Sequence, residues 1–225
     1  MKIWVLILGM MVVLITAGCQ PEAAEQKESS SVSAEEVDAT LRENEVVRIG
    51  EEVFLDEDLT LYTLMQQVKI ELLRHQDEQQ LSGDELADRQ KYWDDQMAYL
   101  DNYNVQLNHL IELNAMALLA EEKSYFIPAE KIEAQLDDLK GKIAKAEQAA
   151  DLVEAYGQEN FKQAIRPYLE ASMLRDRVSK DLLKELEQEN PDASEQELNY
   201  LLAQRFEELY RDQLESLEIE VRPGR

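Results

Sequence analysis

The sequence predicts a mainly α fold with a projecting αα-hairpin and a small antiparallel sheet formed by both chain ends. Three observations carry this expectation. The first is the stretch Leu107–Leu139, LNHLIELNAMALLAEEKSYFIPAEKIEAQLDDL, where only Glu112 and Asn114 are polar between Leu110 and Ala120. A helix apolar nearly all round must be enclosed by other elements. This one is too short to cross a bilayer, which takes about 20 apolar residues. Second, Ser124–Ile127 interrupts the pattern and Pro128 opens a new helix, where its missing N–H costs nothing. Ile132, Leu136, Leu139, Ile143 and Ala146 then form a narrow seam at a mean spacing of about 3.5, suited to packing one helix along another. A buried helix, a short break and a thin-seamed helix make the hairpin. Third, short apolar or alternating stretches near both chain ends read as strands.

The chain begins with a positive residue, Lys2, an apolar run Ile3–Ile15, and the small-residue stretch Thr16-Ala17-Gly18-Cys19. This order is that of an export signal over residues 1–18. Cys19 is the chain's single cysteine, so no intramolecular disulfide forms. Residues 19–45 contain Ser29-Ser30-Ser31 and almost no large apolar side chains, too little to bury. They read as a tether with one frayed helical turn around Val37 and Leu41. Its reach is roughly 25–30 Å, enough to lift a domain off a membrane surface.

Residues 46–225 form the folded part. Val46–Ile49 and Val53–Leu55 flank a turn at Gly50-Glu51-Glu52, a hairpin pattern. Asp56 or Asp58 caps the next helix, whose apolar positions are Leu59, Tyr62, Met65, Val68, Leu72 and Leu73. Ser82-Gly83 is a break. From Asp84 a helix carries Trp93, Met97, Leu100, Tyr103, Leu107 and Leu110 on one face. Unbroken to Lys123 it would run about 60 Å, with Asn102 and Asn104 its weakest link. After the thin-seamed helix, Leu152, Val153 and Tyr156 lead to Gly157, a helix-terminating residue. A long helix from Glu159 follows, with Pro167 expected to kink it or start it afresh, and Asn190-Pro191-Asp192 ends it. Ser194 and Glu197 form a capping box ahead of the stripe Leu198, Leu201, Leu202, Phe206, Leu209 and Tyr210. Leu217, Ile219 and Val221 alternate with Glu218 and Glu220 in a last strand. A two-stranded hairpin is marginal alone, so a third strand from the other end makes physical sense.

These patterns resemble a known family. The run Leu107–Leu139, with its Leu-, Ile- and Ala-rich helix, break and acidic-start helix, resembles the N-terminal chaperone domain of the SurA, PrsA and trigger-factor group. EAYGQENFKQAIRPYLEASML, Glu154–Leu174, resembles the same domain where a glycine precedes a helix completing the core. The likeness extends from Val46 to Val221. It implies a helical chaperone core whose last strand pairs with the N-terminal ones. Ala17-Gly18-Cys19 resembles a bacterial lipobox, in which the cysteine thiol is acylated and becomes the new N-terminus. Thr16 stands where the lipobox usually has Leu, Val or Ile. The alternative is an uncleaved anchor with a chance cysteine; either way the rest lies outside the cytoplasm, tied to a bacterial membrane.

The formal net charge is −25, and the charged fraction 32%. Removing residues 1–18 leaves 22 basic against 48 acidic side chains. Nucleic acid and anionic head groups attract basic surfaces, so both are poor partners. Nucleophilic chemistry needs a base beside a nucleophile, but the chain has only His75, in a polar run, and His109, beside the central apolar stretch. His109 and Glu112 lie three apart on one helix, yet no second such pair accompanies them to hold a metal. No phosphate loop and no glycine-turned Ca²⁺ loop is present. No catalytic residue, metal or cofactor is expected. In the resembled family, isomerase activity sits in a parvulin domain of about a hundred residues. The corresponding interval here, Val178–Pro191, holds one helix and a turn.

The expected function is that of a membrane-tethered, extracytoplasmic chaperone-like protein. It would bind unfolded or newly exported polypeptides without isomerase activity. Tyr62, Met65, Trp93, Met97, Tyr99, Tyr103 and Tyr168 are the candidates for lining the polypeptide cradle, since Met and aromatic side chains adapt to varied apolar shapes. The alternatives are that these residues are ordinary core, and that the lipoprotein docks one defined envelope partner. Oligomeric state is not legible in the sequence.

Overall fold

The computed structural model of the chain describes residues 44–222. The expected signal over residues 1–18, Cys19 with its expected acylation, and all but the end of the expected tether lie outside the described residues. Among the described residues seven helices and three strands follow in the order β1 (Glu45–Ile49), β2 (Glu52–Leu55), α1 (Asp56–Gln80), α2 (Gly83–Tyr99), α3 (Tyr103–Glu122), α4 (Ala129–Ile143), α5 (Glu147–Tyr156), α6 (Gln158–Glu189), α7 (Glu195–Ser216) and β3 (Ile219–Val221). The fold is mainly α with a three-stranded antiparallel sheet of order β2-β1-β3. Among the described residues no helix is long and apolar enough to cross a membrane.

Both chain ends build the sheet. Gly50, at φ 58, turns β1 into β2, so that Ile49 faces Glu52 and Val47 faces Phe54. β3 lies along the other edge of β1, with Val47 opposite Val221 and Ile49 opposite Ile219. Arg48 Nη1 reaches Glu220 at 2.9 Å and Arg222 Nη2 reaches Asp56 at 2.7 Å, tying the end of the chain to its start. The expected tether boundary shifts by one residue: Glu45 is buried in β1 and ion-paired to Arg48.

Local bonds set several helix ends. The Leu55 N–H donates to the Asp58 carboxylate at 2.8 Å, and three acidic residues open α1. Ser194 and Glu197 form the predicted capping box of α7. Gly157, at φ 99, ends α5 in a conformation that L side chains rarely adopt. The long helix expected from Asp84 to Lys123 is divided. Leu100 turns inward at 4% exposure, the Gln106 amide donates to its carbonyl, and the Asn102 side chain accepts from the Asn104 N–H to start α3. These local bonds replace the helical ones that continuity would need. Pro167, by contrast, does not start a helix afresh, and α6 runs through it.

Two apolar clusters fill the interior. One joins β1, α3, Leu59 and Tyr62 of α1, the Ala171–Val178 half of α6, and Phe206 of α7. The other joins Leu61, Leu64, Met65 and Val68 of α1 to α4, α5 and the Phe161–Leu169 half of α6. The α4 seam corrects one expectation. The sequence reading pairs α4 with α3 as a projecting hairpin, but Ile132, Leu136, Leu139 and Ile143 are buried against α1, α5 and α6. The helix left at the margin is α2, whose only buried residue is Trp93.

A tyrosine-floored, acid-rimmed cleft

The cleft forms where the two clusters meet. A cavity of about 290 Å³ opens between β2, α1, α3 and α6. Its floor is aromatic. The Tyr62 and Tyr168 rings meet edge to face with centroids 5.0 Å apart, and Phe54 abuts Tyr62 at 6.4 Å. Tyr62 is held from beneath: its hydroxyl donates to Asn114 Oδ1 at 2.9 Å, and Asn114 Nδ2 donates to the Leu110 carbonyl at 2.8 Å. A buried polar pair of this kind is tolerable only because each group satisfies the other. It also fixes the ring's tilt. Leu61, Ala117, Leu118, Ala164, Ala171 and Leu174 complete the apolar wall.

The rim is acidic. Glu52, Asp58, Glu121 and Glu170 line the cavity, and no Lys, Arg or His does. Among the described residues none of the four carboxylates sits in a salt bridge. Partial loss of water and then the charge of Glu121 hold the Glu52 carboxyl above its ordinary value. Burial raises the Tyr62 hydroxyl and pushes that of Tyr168 up to about 12, so both rings are neutral at physiological pH. A neutral tyrosine face carries negative quadrupole density. The cavity therefore presents aromatic faces and carboxylates to whatever enters it.

The structure gathers only two of the seven predicted cradle residues, Tyr62 and Tyr168, into this cleft. Met65 is 5% exposed in the α4-side cluster. Trp93 is core to the α1–α2 contact: its Nε1 donates to Asp77 at 2.8 Å and Arg89 stacks 5.1 Å over its ring. Met97 lines a separate polar cavity of about 630 Å³ between α1, α2 and α5, among Glu71, Arg74, Glu78, Asp94 and Asp101. Tyr99 is 60% exposed, and Tyr103 packs half-buried beside the sheet-side cluster. His75 is half-buried, its ring bonded to the Gln79 amide. His109 is half-buried, and burial followed by the charges of Lys69 and Arg175 lowers its pKa. No group of three or more His, Cys, Asp or Glu among the described residues is placed to hold a metal ion.

The sequence reading missed Asn114, Phe54 and the four rim carboxylates. Asn114 carried a signal: a polar residue inside an otherwise apolar helix needs a buried partner. The carboxylates carried none, being four among 48 acidic side chains. The class defined here is a helical scaffold with a three-stranded end sheet and one tyrosine-floored acidic cleft. No protein-family model, curated protein or solved structure matches the chain.

Proposed function

We propose that this protein is a membrane-tethered, extracytoplasmic chaperone-like module that holds unfolded or newly exported polypeptides and performs no prolyl isomerisation. The observation that carries the reading is the cleft, whose apolar and aromatic wall lies open beside a sheet edge. Apolar surface there can shield an exposed client segment, and the strongly acidic surface keeps a loaded complex soluble. The pattern resemblance of residues 46–221 to the chaperone domain supports the same reading. So does the interval Val178–Pro191, where α6 runs on to Glu189 and a turn follows. In this proposal Cys19 is acylated and holds the chain at a bacterial membrane.

The test uses the full chain in detergent micelles. Light scattering from several chemically denatured, unrelated proteins should fall as the chain is added. A proline-limited peptide should isomerise at its uncatalysed rate, set by a barrier of about 18–20 kcal/mol. Fatty-acid labelling should mark the wild type and not Cys19→Ser. Protection of no client would sink the chaperone reading, and capture of one defined envelope protein would replace it with a dedicated docking role.

A further inference from the structure

The cavity's composition narrows what enters it. We propose that the cleft between β2, α1, α3 and α6 receives the lysine or arginine side chain of an extended polypeptide segment. This rests on the polypeptide-binding reading above and adds the chemical class of the segment.

Size comes first. A volume of about 290 Å³ equals roughly nine or ten waters at ~30 Å³ each. That admits one long side chain and its neighbouring backbone, not a folded element. Shape and polarity come second. The floor of Tyr62, Tyr168 and Phe54 offers ring faces and edges with apolar wall around them. A long aliphatic stem ending in a cation satisfies such a surface: the methylenes pack on the wall and the head group meets the rings and carboxylates. Charge comes third. Four carboxylates surround the opening with no lining cation and no salt-bridge partner among the described residues. Elsewhere the protein spends its basic residues on ion pairs, such as Arg74–Asp94, Arg89–Asp77 and Arg166–Glu133. The cleft is left without one.

Position adds a fourth argument. Glu52 and Phe54 are alternate residues of β2, so both side chains stand on the cavity side of an edge strand. The Leu55 N–H is taken by Asp58, which limits the free edge to the residues around Val53. An extended segment laid there can drop one side chain into the cavity.

The experiment measures fluorescence anisotropy of three labelled peptides with the full chain in detergent micelles. One alternates leucine and lysine, the second is its Nε-acetyl-lysine counterpart, and the third carries glutamate in place of lysine. The lysine peptide should bind about ten-fold tighter than the acetylated one at low salt, with the gap narrowing as salt screens exposed carboxylates. Glu52→Gln/Glu121→Gln should cut that preference to about two-fold or less. Glu187→Gln/Glu208→Gln, which removes the same charge from exposed positions on α6 and α7, should keep it. Equal loss in both variants would assign the preference to the general acidic surface and overturn the proposal. Equal binding of lysine and acetyl-lysine peptides would overturn it and leave the polypeptide reading standing. Holding of denatured proteins with no peptide binding would place the contact elsewhere. Failure of both assays would remove the reading it rests on. Should n-butylammonium compete as strongly as the lysine peptide, the cleft is a site for free organic cations instead. Ring resonances of Tyr62 and Tyr168 should shift on adding the lysine peptide to the wild-type chain; unmoved rings would overturn the proposal without relying on any variant.

Discussion

The two apolar clusters are built on different principles. The α4-side cluster is local and purely apolar: α4, α5 and the first half of α6 follow one another in sequence and close on one face of α1. The sheet-side cluster is assembled from distant parts. Its sheet joins β1 to β3 across most of the described chain, and Arg48–Glu220 and Arg222–Asp56 are separated by 172 and 166 residues. It also contains the buried polar pair Tyr62–Asn114. Local contacts need little loop closure, whereas long-range ones reward the chain only after that entropy is met. The difference teaches where the cleft gets its shape. Its wall residues come from both clusters, Leu61 from one and Tyr62 and Leu174 from the other. The cavity is the seam that two separately built cores leave between them.

The sharpest way to break the comparison is to remove the closing strand. Deleting residues 217–225 strips the half-buried Leu217 and Ile219 from the sheet-side cluster. It also removes the bonds Gly50 N–H to Glu218 carbonyl and Arg222 N–H to Val46 carbonyl. Two such side chains at roughly 1–1.5 kcal/mol each, with two hydrogen bonds at about 1 kcal/mol apiece, put the loss at about 4–5 kcal/mol. Urea unfolding should show it, and hydrogen exchange should accelerate in β1 and α7 far more than in α4 and α5. Uniform acceleration would mean that the two clusters unfold as one unit.

A matched pair of cavities sharpens the same point. Leu110 and Leu136 are 0% and 1% exposed, one in each cluster. Each truncation to alanine should cost about 2–5 kcal/mol by the lost transfer energy and the cavity left behind. Leu110→Ala should weaken protection around the sheet, and Leu136→Ala that of α4 and α5, as read by residue-resolved hydrogen exchange. The smallest expected effect belongs to the polar pair. Tyr62→Phe removes the hydroxyl that satisfies the Asn114 side-chain oxygen, leaving a buried acceptor alone. That should cost about 1–2 kcal/mol in a thermal or urea melt. No cost would show that Asn114 finds another donor and that the ring is not held through its hydroxyl.

What could be read from the chain was local or periodic. Ser194 with Glu197, Gly157 and the break at Ser82-Gly83 mark helix ends through bonds within a few residues, so the sequence contains all the parties. Ser124, at φ 62, falls in the expected interruption before Pro128. The break at Leu100–Asn102 was harder. Asn102 is a good cap, but whether it caps or continues depended on Leu100 finding a buried site. The candidate cradle was legible only in part, because residue type does not tell where a side chain goes. Trp93 met Asp77 across two helices, and Met65 faced α4, for reasons no spacing records.

By itself, then, the sequence determined the class of fold, the three strands, most of the helices and the joining of both chain ends in one sheet. Those follow from periodicity, capping and alternation, which act over a few residues or require only that a marginal hairpin find a third strand. The tertiary structure alone decided that α4 lies on α1, α5 and α6, that Asn114 supports Tyr62, and that Glu52, Asp58, Glu121 and Glu170 share one opening. These are choices among apolar faces of similar width and carboxylates of identical chemistry. Only the relative placement of whole elements can distinguish them, because packing energy depends on which surfaces actually meet.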